Sequence, residues 1–205
     1  MIVKQYVRIT SDTIVLNGMP LCVAAKGEEM LKEIYRKRIG NYPKFFKMGT
    51  LCKLGFIASE LLLQQEGNRT FDEKGIVKPA CGREDRAVLF FNRSGSISDD
   101  KDYQQTIVSG TDSFPSPSLF VYTLPNIVTG EIAIRNRYSG ETGFYVLPFR
   151  NDEQMWQETA AVFRDRSIRS ALTGWLECED HDSFEAEVSL VATQDLVCDR
   201  QEHTE

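Results

Sequence analysis

The chain has 205 residues, 41% of them hydrophobic and 26% charged, with a formal net charge of −6 and a pI near 5.1. That composition suits one packed domain, and the acidic balance argues against nucleic acid or an anionic membrane surface as a partner. No apolar run reaches the roughly 18–20 residues of a membrane span, and "MIVKQYVRIT" lacks a signal peptide's apolar stretch and cleavage site, so a cytoplasmic protein is expected.

Ile2 to Ile9 and Thr13 to Leu16 are β-branched runs separated by "SD" and followed by "NG", which predicts an N-terminal hairpin. "GEEMLKEIYRKRIG" reads as a helix with acidic residues first and basic residues last, the order the helix dipole favours, and with Gly40 as its stop. Its "YRKR" run does not make a nucleic-acid surface, because acidic residues flank it on the same helix. "GTLCKLGFIASELLLQQEGN" is the clearest helix. Leu51, Leu54, Gly55, Ala58, Leu61, Leu62 and Gln65 mark one face, Thr50 can cap its start and Gly67 its end. That stripe is read as core packing, and Gly55 as a point of close approach to another backbone.

Ala87 to Phe91 is a continuous apolar run, the pattern of a strand buried on both faces. The loop "RSGSISD" after it matches neither GxGxxG nor GxxxxGK[ST], so no phosphate cradle is expected. Asp99, Asp100, Lys101 and Asp102 read as a solvated charge cluster. The stretch "PSPSLFVYTLPNIVTGEIAIRNRYSGETGFYVLPF" runs from a turn-rich loop through a helix and a glycine to a short apolar strand. A strand so placed could deliver a reactive side chain, yet it ends in Leu147, Pro148 and Phe149.

"DEQMWQETAAVFRDRSIRS" predicts a further helix with Met155, Trp156, Thr159, Ala160 and Phe163 on one face and Asp152 as N-cap. "ALTGWLEC" reads as a buried strand and "FEAEVSLVAT" as a half-exposed one, joined as an antiparallel pair by the acidic turn "EDHDS". Strands alternating with helices, without a repeat or linker, predict an α/β layered sheet with helices on both faces. One domain is expected over residues 1–194, followed by a polar, frayed tail over 195–205.

Cys22, Cys52, Cys81, Cys178 and Cys198 form no CxxC pair, so neither a zinc site nor a redox motif is indicated, and no metal or cofactor is expected. Cys81 in "KPACGRED" is the best alternative nucleophile, since a polar loop beside Arg83 could depress its pKa, but no base accompanies it in sequence. Cys52 lies off the apolar stripe of its helix. His181 and His203 read as exposed surface histidines.

The segment "SPSLFVYTLPNIVTGEIAIRNRYSG" resembles the stretch of β-ketoacyl synthases that leads, through a strand, to the "ACASG"-like turn bearing their catalytic cysteine. "KFFKMGTLCKLGFIASELLL" is similar to that family's early helix, "DRAVLFFNRSGS" to its "VGVIVGSG" strand and loop, and "SALTGWLEC" to its later "aDvmLaGGaE" strand. The four segments are colinear between residues 40 and 178, and the chain most resembles ketosynthase-like proteins of bacterial pigment pathways of the aryl-polyene type. The resemblance implies one half of a thiolase-like fold, with a mixed five-stranded sheet. In that family the nucleophile lies in the first half and the catalytic histidines, or a histidine and an asparagine, come from the second. The sequence given ends where the first half would end.

Counting from Gly140, the resemblance puts the nucleophile position at Phe149, whose phenyl ring has neither lone pair nor ionisable proton. The turn reads "PFRND", and Pro148 removes a backbone N–H beside the site. The resemblance therefore implies an inactive β-ketoacyl-carrier-protein synthase homologue. Its expected role is that of an accessory, chain-length-factor-like partner of an active ketosynthase in fatty-acid or polyketide-type pigment biosynthesis. The family dimerises through the strand matched by Gly143, Phe144, Tyr145, Val146 and Leu147, so a homodimer, or a heterodimer with a ketosynthase, is implied, with an acyl carrier protein as a further candidate partner. Three alternatives stay open. They are an acyl-chain or small-molecule binding module with a pocket at Leu119, Phe120, Tyr122 and Phe149, one half of a split ketosynthase, and a truncated product without function.

Overall fold

The computed structural model describes residues 5–67, 69–108 and 116–193. Seven strands form one mixed sheet: β1 (Tyr6–Thr10), β2 (Ile14–Leu16), β3 (Met19–Pro20), β4 (Arg86–Asn92), β5 (Thr142–Val146), β6 (Ser170–Cys178) and β7 (Phe184–Ala192), in the order β3-β2-β1-β7-β6-β4-β5. β4 runs parallel to both β5 and β6, and the remaining pairs are antiparallel. Five strands were expected, and the difference lies at one edge. There β2 lies beside β1, and the chain then turns at Asn17 and Gly18, both at positive φ, the conformation an Asn-Gly hairpin turn requires, to add β3 beyond it. Without that extension the sheet has five strands, β1 and β4 to β7. The expected hairpin is β1–β2, with Val7 opposite Leu16; residues 2–4 of the expected first run lie outside the described residues.

β4 is buried along its whole length, flanked by two strands and covered on both faces. Each fully buried Leu or Phe there contributes about 1.5–3 kcal/mol of apolar transfer free energy. The larger core lies on one face, under α1 (Gly27–Ile34), α2 (Thr50–Leu63) and α5 (Ile127–Asn136), while α3 (Ile97–Val108) packs against α2 and the short α4 (Pro117–Phe120) packs against α3. On the other face α6 (Asp152–Val162) covers β4 and β6 through Leu89, Phe91, Val162, Ile168 and Trp175, with Met155 and Phe163 partly buried against them. Helices thus stand on both faces, as expected.

α2 departs from the single-face expectation, since all 14 of its residues are buried. The helix is enclosed by the sheet, α1, α3 and α5, so its polar residues find partners inside. Lys53 Nζ lies 3.1 Å from Glu28, and Glu60 meets Arg69 at 2.7 Å and Arg135 at 3.2 Å. Gly49, not Thr50, is the N-cap, and Gly67 closes the end at φ 67°. Gly55 does permit close approach, but of side chains: a Cβ there would press into Val128 Cγ1 and lie 2.9 Å from Leu176 Cδ1. At α6 the cap is Asn151 rather than Asp152, its Oδ1 accepting the Gln154 N–H at 3.1 Å. The polar tail, with Cys198 and His203, lies outside the described residues.

Candidate functional site

Because β4, β5 and β6 run parallel, their C-terminal ends open on one edge of the sheet, where α/β folds place their ligand clefts. The β5–α6 turn lies there. Leu147 is buried, its N–H donating to the Asn92 carbonyl at 2.7 Å, and the chain bends at Pro148 and Phe149. The Phe149 residue is 63% exposed and borders a cleft of about 420 Å³ together with Arg93, Arg150, Trp175, Glu177 and Glu185. Glu177 fixes the loop after β4 by accepting the N–H groups of Arg93 at 3.0 Å and Ser94 at 3.2 Å. Arg93 pairs with Glu179 at 2.6 Å and Arg150 with Asp152 at 2.7 Å. Among the described residues this cleft has no cysteine and no histidine in its lining. The cleft sets the exposed Phe149 ring beside these paired charges, with Ser11 and Ser183 also in its lining.

β5 pairs with β4 from Val88–Thr142 to Asn92–Val146, and no described strand covers its other side. Gly143, Phe144, Tyr145 and Val146, singled out from the sequence as an interface, therefore lie on an edge strand, and Leu147 follows it into the interior. Tyr145 stacks on Phe91 with ring centroids 5.1 Å apart, Phe144 packs against the main core, and Val146 is exposed. An open edge of this kind presents free N–H and C=O groups to another strand.

Of the four residues considered for an acyl pocket, the structure brings two together. Leu119 and Tyr122 border a second cleft of about 480 Å³, shared with Phe46, Met48, Thr50, Asp99 and His181. Phe120 is half exposed and lies against Tyr103, and Phe149 belongs to the first cleft.

This second cleft holds a polar cluster that the sequence did not signal. His181 is half exposed, but both ring nitrogens are engaged: Nδ1 lies 2.6 Å from Thr50 Oγ1 and 3.2 Å from Glu28, and Nε2 lies 3.1 Å from Asp102. Asp99, expected in a solvated loop, is buried instead in α3 and accepts the Thr50 N–H at the start of α2. Burial pushes its pKa up to about 7, with the Asp102 charge adding and the Thr50 hydrogen bond opposing. Glu28 goes the other way. Burial opposes the fall, but hydrogen bonds from Lys32 and Thr50, with the Lys53 charge, hold it at about 2. His181 stands 79 residues from Asp102 and 131 from Thr50 in the chain, and Glu28 is farther still, so no local pattern could have paired them.

The remaining thiols divide by burial. Cys52 and Cys178 are enclosed, and burial raises both, Cys178 to about 12. Cys81 is partly exposed, and hydrogen bonding with Thr70 lowers its pKa. No described cluster of His, Cys, Asp and Glu is suited to a metal ion.

Solved structures decide the fold. The ishigamide ketosynthase/chain length factor superposes with a TM-score of 0.62 over 95% of this chain and 62% of that chain, at 14% identity. The chain has the thiolase-like ketosynthase fold. The ketosynthase ApeO in complex with its chain length factor ApeC, from Xenorhabdus doucetiae, matches with a TM-score of 0.58 over 93% of this chain and 78% of that chain, at 13% identity. The AntDE:AntF assembly, a type II polyketide acyl-carrier protein in complex with its ketosynthase bound to the hexaketide, matches with a TM-score of 0.55 over 97% of this chain and 64% of that chain, at 11% identity. The chain thus spans about 62% of the length of the first of these solved structures. No family model matches the chain, and no curated protein matches it significantly. No described helix is long and apolar enough to cross a membrane.

Proposed function

We propose that this is a ketosynthase-like protein without condensing activity, a chain-length-factor-like partner of an active β-ketoacyl synthase in cytoplasmic fatty-acid or polyketide-type pigment biosynthesis. The observation that carries the reading is Phe149. It occupies the turn between β5 and α6, where the resemblance expects a thiol, and its cleft has no described cysteine or histidine in its lining. A condensing reaction needs an acyl-accepting nucleophile, and a benzyl side chain cannot serve. The open edge of β5 supports the partner role. A second strand laid along Thr142–Val146 would satisfy its backbone groups and cover Val146, as a homodimer or with a ketosynthase. An acyl carrier protein is a further partner on this reading, by analogy with the AntDE:AntF assembly.

The test is co-expression with a ketosynthase of the same host, followed by size-exclusion chromatography with light scattering. The proposal predicts a mixed assembly; a strict monomer, alone and in the mixture, contradicts it. A second reading, acyl-chain or small-molecule binding without catalysis, is favoured by the apolar wall that Phe46, Met48, Leu119 and Tyr122 give the second cleft. It predicts that Leu119→Trp abolishes the thermal shift produced by acyl ligands, and an unchanged shift rejects it. A split enzyme would require the other polypeptide to bring the nucleophile as well as the histidines.

A further inference from the structure

The second cleft is lined by two buried residues whose oxygens the described chain does not satisfy. Asp99 is 5% exposed; its Oδ1 accepts the Thr50 N–H, and no described residue donates to Oδ2. Tyr122 is 7% exposed, and its hydroxyl has no hydrogen-bond partner among the described residues. Neither oxygen is sealed in. The buried polar atoms that lack both a partner and any accessible surface lie elsewhere, at Ser59, Ser98 and Asn136 among others. Burial, with the Asp99 charge among the lesser causes, pushes the Tyr122 pKa up, so the phenol stays neutral and stands within electrostatic reach of Asp99. Reachable acceptors left empty on a cavity of about 480 Å³ point to a ligand that brings donors.

The charges around Asp99 select the sign of that ligand. Lys53 from α2, Asp102 from its own helix and His181 from the β6–β7 turn act on Asp99, and Glu28 from α1 and the exposed Lys47 also border the cleft. Lys53 is committed to Glu28 at 3.1 Å, and His181 lies between Asp102, Glu28 and Thr50. Among the described residues no cation stands within ion-pair distance of Asp99. Asp99 itself occupies the N-terminus of α2, which would otherwise draw an anion. Phe46, Met48 and Leu119 supply an apolar wall in the same cleft.

We infer that the second cleft binds a primary amine carrying a short apolar chain, its ammonium donating to Asp99 Oδ2 and Tyr122 Oη while the chain lies against Phe46, Met48 and Leu119. One ammonium has three donors, enough for both acceptors. Burial raises the Asp99 pKa to about 7, which gives binding a pH dependence: the amine is charged throughout, and its partner ionises as pH rises through 7. The inference rests on the reading of this cleft as a small-molecule site and names the class it takes.

The full chain is titrated with hexylamine, hexan-1-ol and hexanoate, with NMR shift perturbation giving each Kd. At pH 8 hexylamine is expected to bind about tenfold more tightly than hexan-1-ol, the worth of one charge-assisted hydrogen bond, and this advantage is expected to shrink as pH falls to 5. Asp99→Asn is expected to remove the advantage at every pH, which separates Asp99 from any effect of His181. Tyr122→Phe, the second variant should the first fail to fold, is expected to weaken hexylamine about fivefold. Equal affinities for hexylamine and hexan-1-ol at pH 8, or an advantage that both variants leave untouched, overturns the inference. Hexanoate bound in preference to hexylamine also overturns it but leaves the small-molecule reading of the cleft standing, whereas binding of none of the three sinks both.

Discussion

The carboxylate of Asp99 accepts the backbone N–H of Thr50 at 3.0 Å, capping the start of a helix that is buried on every side. An ionised carboxylate suits the dipole at that position, but burial resists the charge and raises the pKa to about 7.

Between pH 4 and 7 the folded chain therefore holds a proton on Asp99 that the unfolded chain has released. The contribution of this residue to stability falls as pH rises through that window and stays low above it. Asp99→Asn keeps an oxygen for the Thr50 N–H and cannot ionise. The variant is expected to exceed the wild type by about 1–3 kcal/mol at pH 8, the advantage shrinking by pH 5 and vanishing near pH 4. Glu28, held at about 2, loses stability as pH falls below its ordinary value, but does so equally in both proteins. Thermal melts across this range check the sign; a variant less stable at every pH contradicts it.

The ion pairs that keep α2 polar inside the core set a second expectation. Glu60 is 2% exposed and stands between Arg69 and Arg135, whose guanidinium lies 4.1 Å from the Phe71 ring centre. Glu60→Gln leaves two enclosed cations without a counter-charge, at a cost of about 3–5 kcal/mol. Urea denaturation measures this, and a loss below about 1 kcal/mol would show the pairs to be solvated.

These elements also mark what a sequence can convey. β4 was legible because five apolar residues in a row can only be buried on both faces, and the β6–β7 pair because Phe184, Ala186 and Val188 alternate with polar residues. α2 was legible as a helix but not as an enclosed one. Thr50, Lys53 and Glu60 look like a solvent face until their partners, Glu28, Arg69, Arg135 and His181, arrive from other parts of the chain. The acyl-pocket residues were placed together by a shared loop and a shared resemblance. The turn after β5 instead carries Phe149 to a different cleft from Leu119 and Tyr122.

Gly55 is a packing prediction. Alanine there gains about 1 kcal/mol of helix propensity but forces a methyl against Val128 and Leu176, which costs about 1–3 kcal/mol. A net loss of stability is expected for Gly55→Ala, with part of it recovered in the Gly55→Ala, Val128→Ala double variant. Additive losses in chemical denaturation would reject the contact.

The edge of β5 offers a test of assembly. Tyr145→Asp puts a charge beside the Phe91 ring, and Val146→Lys changes an exposed position on the same strand with less effect on the fold. Both are expected to weaken any assembly with a ketosynthase in sedimentation velocity, Val146→Lys without lowering the melting temperature. Unchanged assembly in both variants excludes this edge.

Intact-mass analysis after incubation with acyl- and malonyl-loaded carrier protein tests most directly whether a ketosynthase fold with Phe149 at its β5–α6 turn has lost its covalent chemistry. The account predicts a chain of unaltered mass and no release of carbon dioxide. A stable acyl adduct on the chain would contradict it.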